Sequence, residues 1–450
     1  MKKKVSSINI SVDREFVETY PINWKPLKQQ DINKIFSTRS LNKINQISLY
    51  IHMPFCPFVC DFCYFGKRLF NKFLYEKYIE ALKKEIKMFK NHPDLENREV
   101  SAIYVGGGTG SILTPNHLNV LLTLIKEIFP TSYDIEITIE SHPLTLNYNK
   151  LLMYREIGVN RISLGIQSFN RENLKKIQRE KHYHANKRVI EFCKQIGFEK
   201  IAIDLIYRFP GQTIKNLLED LEEGIGTDVD QISAYTLEVR DTPLENVMSE
   251  MPSDDVDKEM YYLIKDFCEE HGYVQYEQCD FARPQKYSRY STNVWKTPQQ
   301  LTLGFGAGAY SDHFGGYSWT NIYSVEKYIE IVDEGFFPGV LGSELNKKEL
   351  MAKYMVLGSR CIYVNKNLFK ILFDISFDEY FVDLVSQLLN RGWIKDYKEN
   401  IIISREGLYY INNIAKKFYT RSNVGKKQPK HKGLASYIPV DFYRGGDNNG

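Results

Sequence analysis

The chain has 450 residues, with 59 Lys and Arg against 56 Asp and Glu, a net charge of +3. Hydrophobic residues make up 43% and charged residues 26%, ordinary globular proportions that exclude a disordered or fibrous chain and a strongly basic nucleic-acid binder. No run approaches the ~20 apolar residues of a membrane helix, and none follows the basic start MKKKVSSINISVDREF. Neither a membrane span nor a secretory signal is expected, and the implied location is cytoplasmic.

Residues 1–45 are polar and irregular, an N-terminal extension expected to pack on the main body. From residue 46 short β-rich runs alternate with amphipathic stretches. Strands are predicted at 47–51, 101–105, 135–140, 161–167, 200–207 and 231–238. Helices are predicted between them at 73–89, 115–128, 147–157, 184–196 and 213–225, from apolar residues at helical spacing and N-caps such as Thr114. Six strands alternating with helices over 46–240 predict an α/β fold, an open (β/α)6 barrel. Residues 241–345 are richer in loops and aromatics and are assigned to the substrate cavity, with Gly304–Ala309 (GFGAGA) as a backbone wall. Residues 346–420 predict helices around a short strand, a mainly helical, winged-helix-like accessory domain. Residues 421–450 form a basic, glycine-rich tail whose Tyr437, Ile438, Phe442 and Tyr443 could dock on the body.

Seven cysteines in a chain with no secretory signal argue against a disulfide framework. Cys193, Cys268, Cys279 and Cys361 are scattered and read as small buried hydrophobes. Cys56, Cys60 and Cys63 form C-x3-C-x2-C directly after the first strand, at the barrel mouth where active sites of such folds lie. Three thiolates can bind three irons of a cubane and leave the fourth open to a small molecule. A zinc site with His52 as fourth ligand and unrelated thiols are the competing readings.

This motif, followed after the second strand by Gly106–Ser111 (GGGTGS), resembles the radical S-adenosylmethionine (SAM) superfamily. YIHMPFC, YVGGGTGS, ITIESHP, RISLGIQSF, DLIYRFPGQT and GFGAGAYS resemble its oxygen-independent coproporphyrinogen III oxidase-like group, over about residues 46–420. The resemblance implies a [4Fe–4S] cluster on Cys56, Cys60 and Cys63. It implies SAM chelated to the open iron and cleaved by one electron to a 5′-deoxyadenosyl radical. Contacts to SAM are implied for Glu140, Gln167, Arg179 and Asp204, with the backbone of Gly106, Gly107, Gly108 and Thr109 able to bind its amino-acid part. Arg179 pairing with Asp204 is the purely structural alternative. Tyr50 matches a tyrosine near the cluster and is assigned, with Glu238, to catalysis. Some members bind a second SAM, and two SAM molecules are expected here, with Ile206 and the Gly106–Gly108 backbone bordering the second.

After Cys63 the sequence reads Tyr64-Phe65-Gly66-Lys67-Arg68, with Phe65 where the oxidase has a further cysteine. This departure predicts the methyltransferase and cyclopropanase branch: transfer of a methyl or methylene carbon to a planar heteroaromatic substrate. The alternatives are anaerobic heme ring opening or another porphyrinogen modification, and a heme chaperone without turnover, for which His182 and His313 are candidate ligands. A tetrapyrrole is the alternative substrate, and a flavodoxin- or ferredoxin-type protein the expected electron donor. Tyr290, Asn293, Trp295, Tyr310, His313, Trp319 and Asn321 either line an aromatic mouth or pack the barrel against the accessory domain.

Overall fold

The structure is a computed structural model that describes residues 11–40, 44–63, 68–239 and 242–426. The expectations for Tyr64–Lys67 and for the tail beyond residue 426 concern residues outside these ranges.

Six parallel strands form the centre: β1 (Gln46–Met53), β2 (Glu99–Gly107), β3 (Thr131–Ser141), β4 (Arg161–Gln167), β5 (Lys200–Tyr207) and β6 (Gln231–Thr236), adjacent in that order. Helices α1 (Lys72–Met88), α2 (Pro115–Ile128), α3 (Tyr148–Ile157), α4 (Tyr183–Ile196) and α5 (Ile214–Gly226) lie between them in the chain. Several helix boundaries have a local cause. The Asn71, Thr114, Asn147 and Thr213 side chains accept from backbone N–H groups of the first turns of α1, α2, α3 and α5. Gly158 and Gly197, at φ +111° and +80°, end α3 and α4 in left-handed caps. The alternating Ile, Leu and Val of the strands join the apolar faces of the helices in one core, such as Ile47, Leu49 and Ile51 with Tyr78, Leu82 and Ile86. This is the open (β/α)6 barrel expected.

The region 241–345 departs from its reading as loops. Beside β1, β7 (Leu301–Phe305) adds in parallel. Then β8 (Tyr310–Phe314), β9 (Tyr317–Asn321) and β10 (Gly339–Glu344) follow antiparallel. Beside β6, strands Asp280–Ala282 and Val274–Gln275 extend the sheet, which counts thirteen strands among the described residues. Strands of five residues, one holding Gly304, are too short and too interrupted for alternation to declare them. GFGAGA is a tight turn packed on α1, where the Gly306 N–H donates to Glu85 Oε2 (2.7 Å) and the Ala307 N–H to Tyr78 Oη (3.0 Å).

Helix α6 (Asp254–Glu270) leads into the small hairpin of residues 274–282, and α7 (Lys347–Gly358) opens the accessory domain. That domain has its own core, including Phe369, Phe377, Leu388 and Trp393, and a three-stranded antiparallel sheet of 363–365, 400–403 and 394–396. Helices with a small sheet fit the winged-helix-like expectation. The N-terminal extension straps both parts. Val17, Tyr20 and Ile22 join the accessory core, Tyr20 Oη donates to Glu349 Oε2 (2.8 Å), and Lys25–Pro26 pairs with β10. Among the described residues no helix is long and apolar enough to cross a membrane. Cys193, Cys268 and Cys361 are buried and Cys279 part-buried, as small hydrophobes would be.

Candidate functional site

Beyond the exposed first half of β3 the parallel strands are mostly buried, yet each holds a part-exposed position toward one end of the sheet: Tyr50, Tyr104, Glu140, Gly165, Asp204 and Tyr235. Tyr50 is paired with Tyr104, and Asp204 lies one position before the Leu205–Ala234 pair and two before Ile206–Tyr235. A partly accessible residue on every neighbouring strand marks an inner face that lines a lumen. Tyr50 stacks on Tyr104 (centroids 6.0 Å, 21°), and Tyr290 closes on Tyr104 at 5.0 Å. Of the supposed aromatic mouth, Tyr290 alone joins this ring. Trp319 is buried against Phe314 and Phe337, Tyr310 stacks on Trp24, Asn321 binds Glu85, Asn293 bonds Ser48 and Ser101, and Trp295 lies over Arg360. His313 is buried in β8, its pKa pushed down to about 4 by burial.

The cysteine loop leaves β1 at the same end. Phe55 is fully buried, and Phe55 and Cys56 pair with Arg68 and Leu69 as a short parallel ladder that pins the start of the loop. Cys56 is 7% exposed, while Cys60 and Cys63 are part-exposed in a turn closed by the Cys63 N–H on Cys60 O (3.2 Å). Phe58 packs edge-on against the His142 and His182 rings, which lie 4.5 Å apart. Burial pushes His142 down to about 2 and His182 to about 4, so both are neutral imidazoles.

Gly106, Gly107 and Gly108 end β2 beside this loop. The Gly108 N–H donates to Met53 O (2.8 Å). Gly107 sits at φ +110°, where a side chain would also strike the His52 ring. The buried Thr109 donates to Gly108 O (2.8 Å). The Gly107 N–H donates to Glu140 Oε2 at 3.2 Å, the one hydrogen bond to that carboxylate among the described residues. Burial pushes Glu140 up to about 7. Asp204 has no hydrogen-bond partner among the described residues, and burial, then Glu140 and Asp280, push it up to about 8. Gln167 is 8% exposed at φ +70°, in a break of register between β4 and β5, a strained conformation for a residue with a side chain.

Arg179 does not hydrogen-bond Asp204. Its Nε–H and Nη2–H both donate to Cys60 Sγ at 3.3 Å, and its Nη1–H donates to Gly165 O at 2.8 Å. Ile206 is buried in an apolar cluster with Leu174, Ile177 and Phe209. Glu238 lies beyond the end of β6, on a segment charged against Arg208. Sequence reasoning missed Tyr104, Tyr235, Asp280 and Arg161, whose guanidinium donates to Gln231 Oε1, while Tyr290 was among the aromatics it did name. Tyr104 was within reach, being the register partner of Tyr50. Asp280 was not, because its strand has only three residues.

Among the described residues no three His, Cys, Asp or Glu side chains converge on one metal-ion position. A cubane asks for something else, since each thiolate binds a different iron and the ligands stand apart. The loop carries three thiols at one rim, one of them already receiving two N–H donors. Beside it lie backbone amides with no side chains in the way and two underpartnered carboxylates. Such a donor set fits a cluster with an amino-acid-bearing ligand.

The model of the radical SAM superfamily matches residues 50–224. The heme chaperone HemW of Bacillus subtilis is 31% identical over 377 residues, covering 82% of this chain and 97% of its own length. Anaerobilin synthase of Escherichia coli O157:H7 is 30% identical over 299 residues, 65% of this chain and 66% of its own. Among solved structures, coproporphyrinogen III oxidase (HemN) from Escherichia coli superposes with a TM-score of 0.76 at 24% identity, covering 88% of this chain and 94% of its own, a likeness of fold. The chain belongs to the radical SAM superfamily and to the family of these HemW relatives, and shares its fold with coproporphyrinogen III oxidase. Its cofactors are those of the superfamily, a [4Fe–4S] cluster and SAM.

These relatives overturn the expectation of methyl or methylene transfer. That expectation rested on five residues after Cys63, whereas the relative aligned over nearly its whole length is named a heme chaperone. The alternative reading, heme carriage or heme ring opening, is the one the comparisons favour.

Proposed function

We propose that this protein binds heme and passes it on, using a radical SAM scaffold that keeps its cluster and SAM sites. The observation that carries the reading is the end-to-end similarity to a protein named heme chaperone, 97% of whose length is covered by this chain. That span takes in the accessory domain and not the barrel alone.

Cys56, Cys60 and Cys63 are assigned as the cluster ligands. When bound and reduced, the cluster supplies one electron to SAM, delivered by a flavodoxin- or ferredoxin-type donor. The chain's own residues do the rest. The Gly106–Thr109 backbone, Gln167 and Arg179 orient the amino-acid part of SAM. Glu140 and Asp204 accept hydrogen bonds from its amino and ribose groups once they lose the protons that burial now favours. Tyr50, Tyr104 and Tyr290 wall the lumen and limit water.

A second reading, SAM-dependent opening of the heme macrocycle, is favoured by one feature of the lumen. It holds the polar residues assigned here to SAM, which a carrier without turnover does not need. Anaerobic reconstitution separates the two readings. Hemin is titrated into the cluster-loaded protein and followed by its Soret band, then SAM and dithionite are added and products weighed by mass spectrometry. Stoichiometric heme that survives supports carriage. Bleaching of heme with 5′-deoxyadenosine supports ring opening. Absence of heme binding sinks both.

A further inference from the structure

We infer that Arg179 is a positioning residue for the iron–sulfur cluster: its guanidinium, hydrogen-bonded to Cys60 Sγ, sets the reduction potential of the cluster before SAM binds. The family resemblance gives this arginine to SAM; the geometry gives its first contacts to a thiol. Two of its N–H groups point at one sulfur, Nε and Nη2 each at 3.3 Å. Among the described residues neither lumen carboxylate receives a hydrogen bond from it, its side-chain bonds going to Cys60 and Gly165.

The fork is held from several sides. Nη1–H donates to Gly165 O (2.8 Å), a position where a side chain would crowd Gln167. The Arg179 N–H donates to Leu174 O (2.7 Å), and its carbonyl accepts from His182 Nδ1–H (2.7 Å). Phe62, inside the cysteine loop, lies 5.3 Å from the guanidinium carbon. The residue is 8% exposed, so solvent screens its charge little. A guanidinium has five N–H donors, and three are engaged here, leaving two for a carboxylate ligand.

The physical consequence follows from charge. Reduction adds an electron to a cluster that already carries thiolates. A fixed cation donating to one of those sulfurs stabilises the reduced form more than the oxidised form, and hydrogen bonds to sulfur are a recognised control of cluster potential. His182 extends the chain of support, because its ring packs against Phe58 of the cysteine loop while its Nδ1 fixes the arginine backbone.

The inference rests on the assignment of Cys60 as a cluster ligand. The test uses the full chain, reconstituted anaerobically without SAM, with iron counted and the midpoint potential read by EPR-monitored titration. Arg179→Gln is expected to lower the potential, so that at fixed potential the reduced-to-oxidised ratio falls about tenfold, or about 59 mV for one electron. Arg179→Lys, which keeps charge but not the fork, falls between. Loss of iron from Arg179→Gln at wild-type circular dichroism and melting points the same way. If Arg179→Gln does not fold, Arg179→Lys decides. Wild-type iron and wild-type potential in these variants, with only SAM affinity weakened, would overturn the inference. Cys60→Ala tests its foundation separately, because retention of an intact cluster there removes the ligand assignment whatever Arg179 does.

Discussion

Glu85, fully buried on its helix, and Glu140, part-exposed at the lumen, are both carboxylates pushed up to about 7 by desolvation, yet their surroundings are opposite. Glu85, on α1, is 1% exposed and accepts from the Gly306 N–H (2.7 Å), Asn321 Nδ2–H (2.6 Å) and Tyr328 Oη–H (2.5 Å). Every one of its donors comes from the region 301–330, so it stitches the added strands to the barrel. Glu140, at the end of β3, has the single Gly107 N–H at 3.2 Å and faces the lumen. A buried polar group is normally satisfied, so a saturated carboxylate reads as structure and an underpartnered one as a place kept for a ligand. Asp204, with no hydrogen bond among the described residues, repeats the second pattern.

The largest effect expected is on the metal. Cys60→Ala should lose nearly all cluster iron, read by iron assay and the visible absorption of the reconstituted protein. Next comes the pair of glutamates. Glu85→Ala strands several buried donors and should cost about 3 kcal/mol or more in a denaturant or thermal melt. Glu140→Gln should leave stability within about 1 kcal/mol and weaken SAM binding at least about tenfold, equal to about 1.4 kcal/mol. Equal stability losses in the two variants would erase the contrast.

A smaller effect is the pH dependence of the cofactor-free protein. The folded-state pKa of Asp204 is raised to about 8 from an ordinary 3.8, so the native state binds the proton more tightly. Its contribution is fully present at low pH and is lost as pH rises through about 8. The melting temperature should therefore fall from pH 6 to pH 9. Asp204→Asn, which cannot ionise, should flatten that slope by an amount on the order of 1–3 kcal/mol at pH 9. A wild-type slope in the variant would mean that Asp204 is ionised and partnered.

The barrel was legible because its signals are long and repeated. β4 and β5 fall at the predicted bounds, and α2 runs from Pro115 to Ile128 as Thr114 and the apolar spacing indicate. The strands of 301–344 were hidden by their brevity and by glycines whose use is close packing, a fact of tertiary structure that no local period carries. At the site, spacing singled out the cysteines and glycines, and the family resemblance pointed to Glu140, Gln167, Arg179 and Asp204. It did not show that Arg179 would turn to Cys60, since the two are far apart in sequence. Nor did it locate Glu238, which lies past the strand it was assigned to. The reaction was misread because a few residues after Cys63 were weighed above the remainder of the chain.

The most direct test of the account is heme transfer. Cluster-loaded full-length protein is charged with one equivalent of hemin and mixed anaerobically with apomyoglobin, and the Soret bands are followed with SAM present and absent. Carriage predicts that heme moves to the acceptor with its total amount conserved. Failure to bind hemin, or loss of heme that requires SAM and reductant, would contradict it.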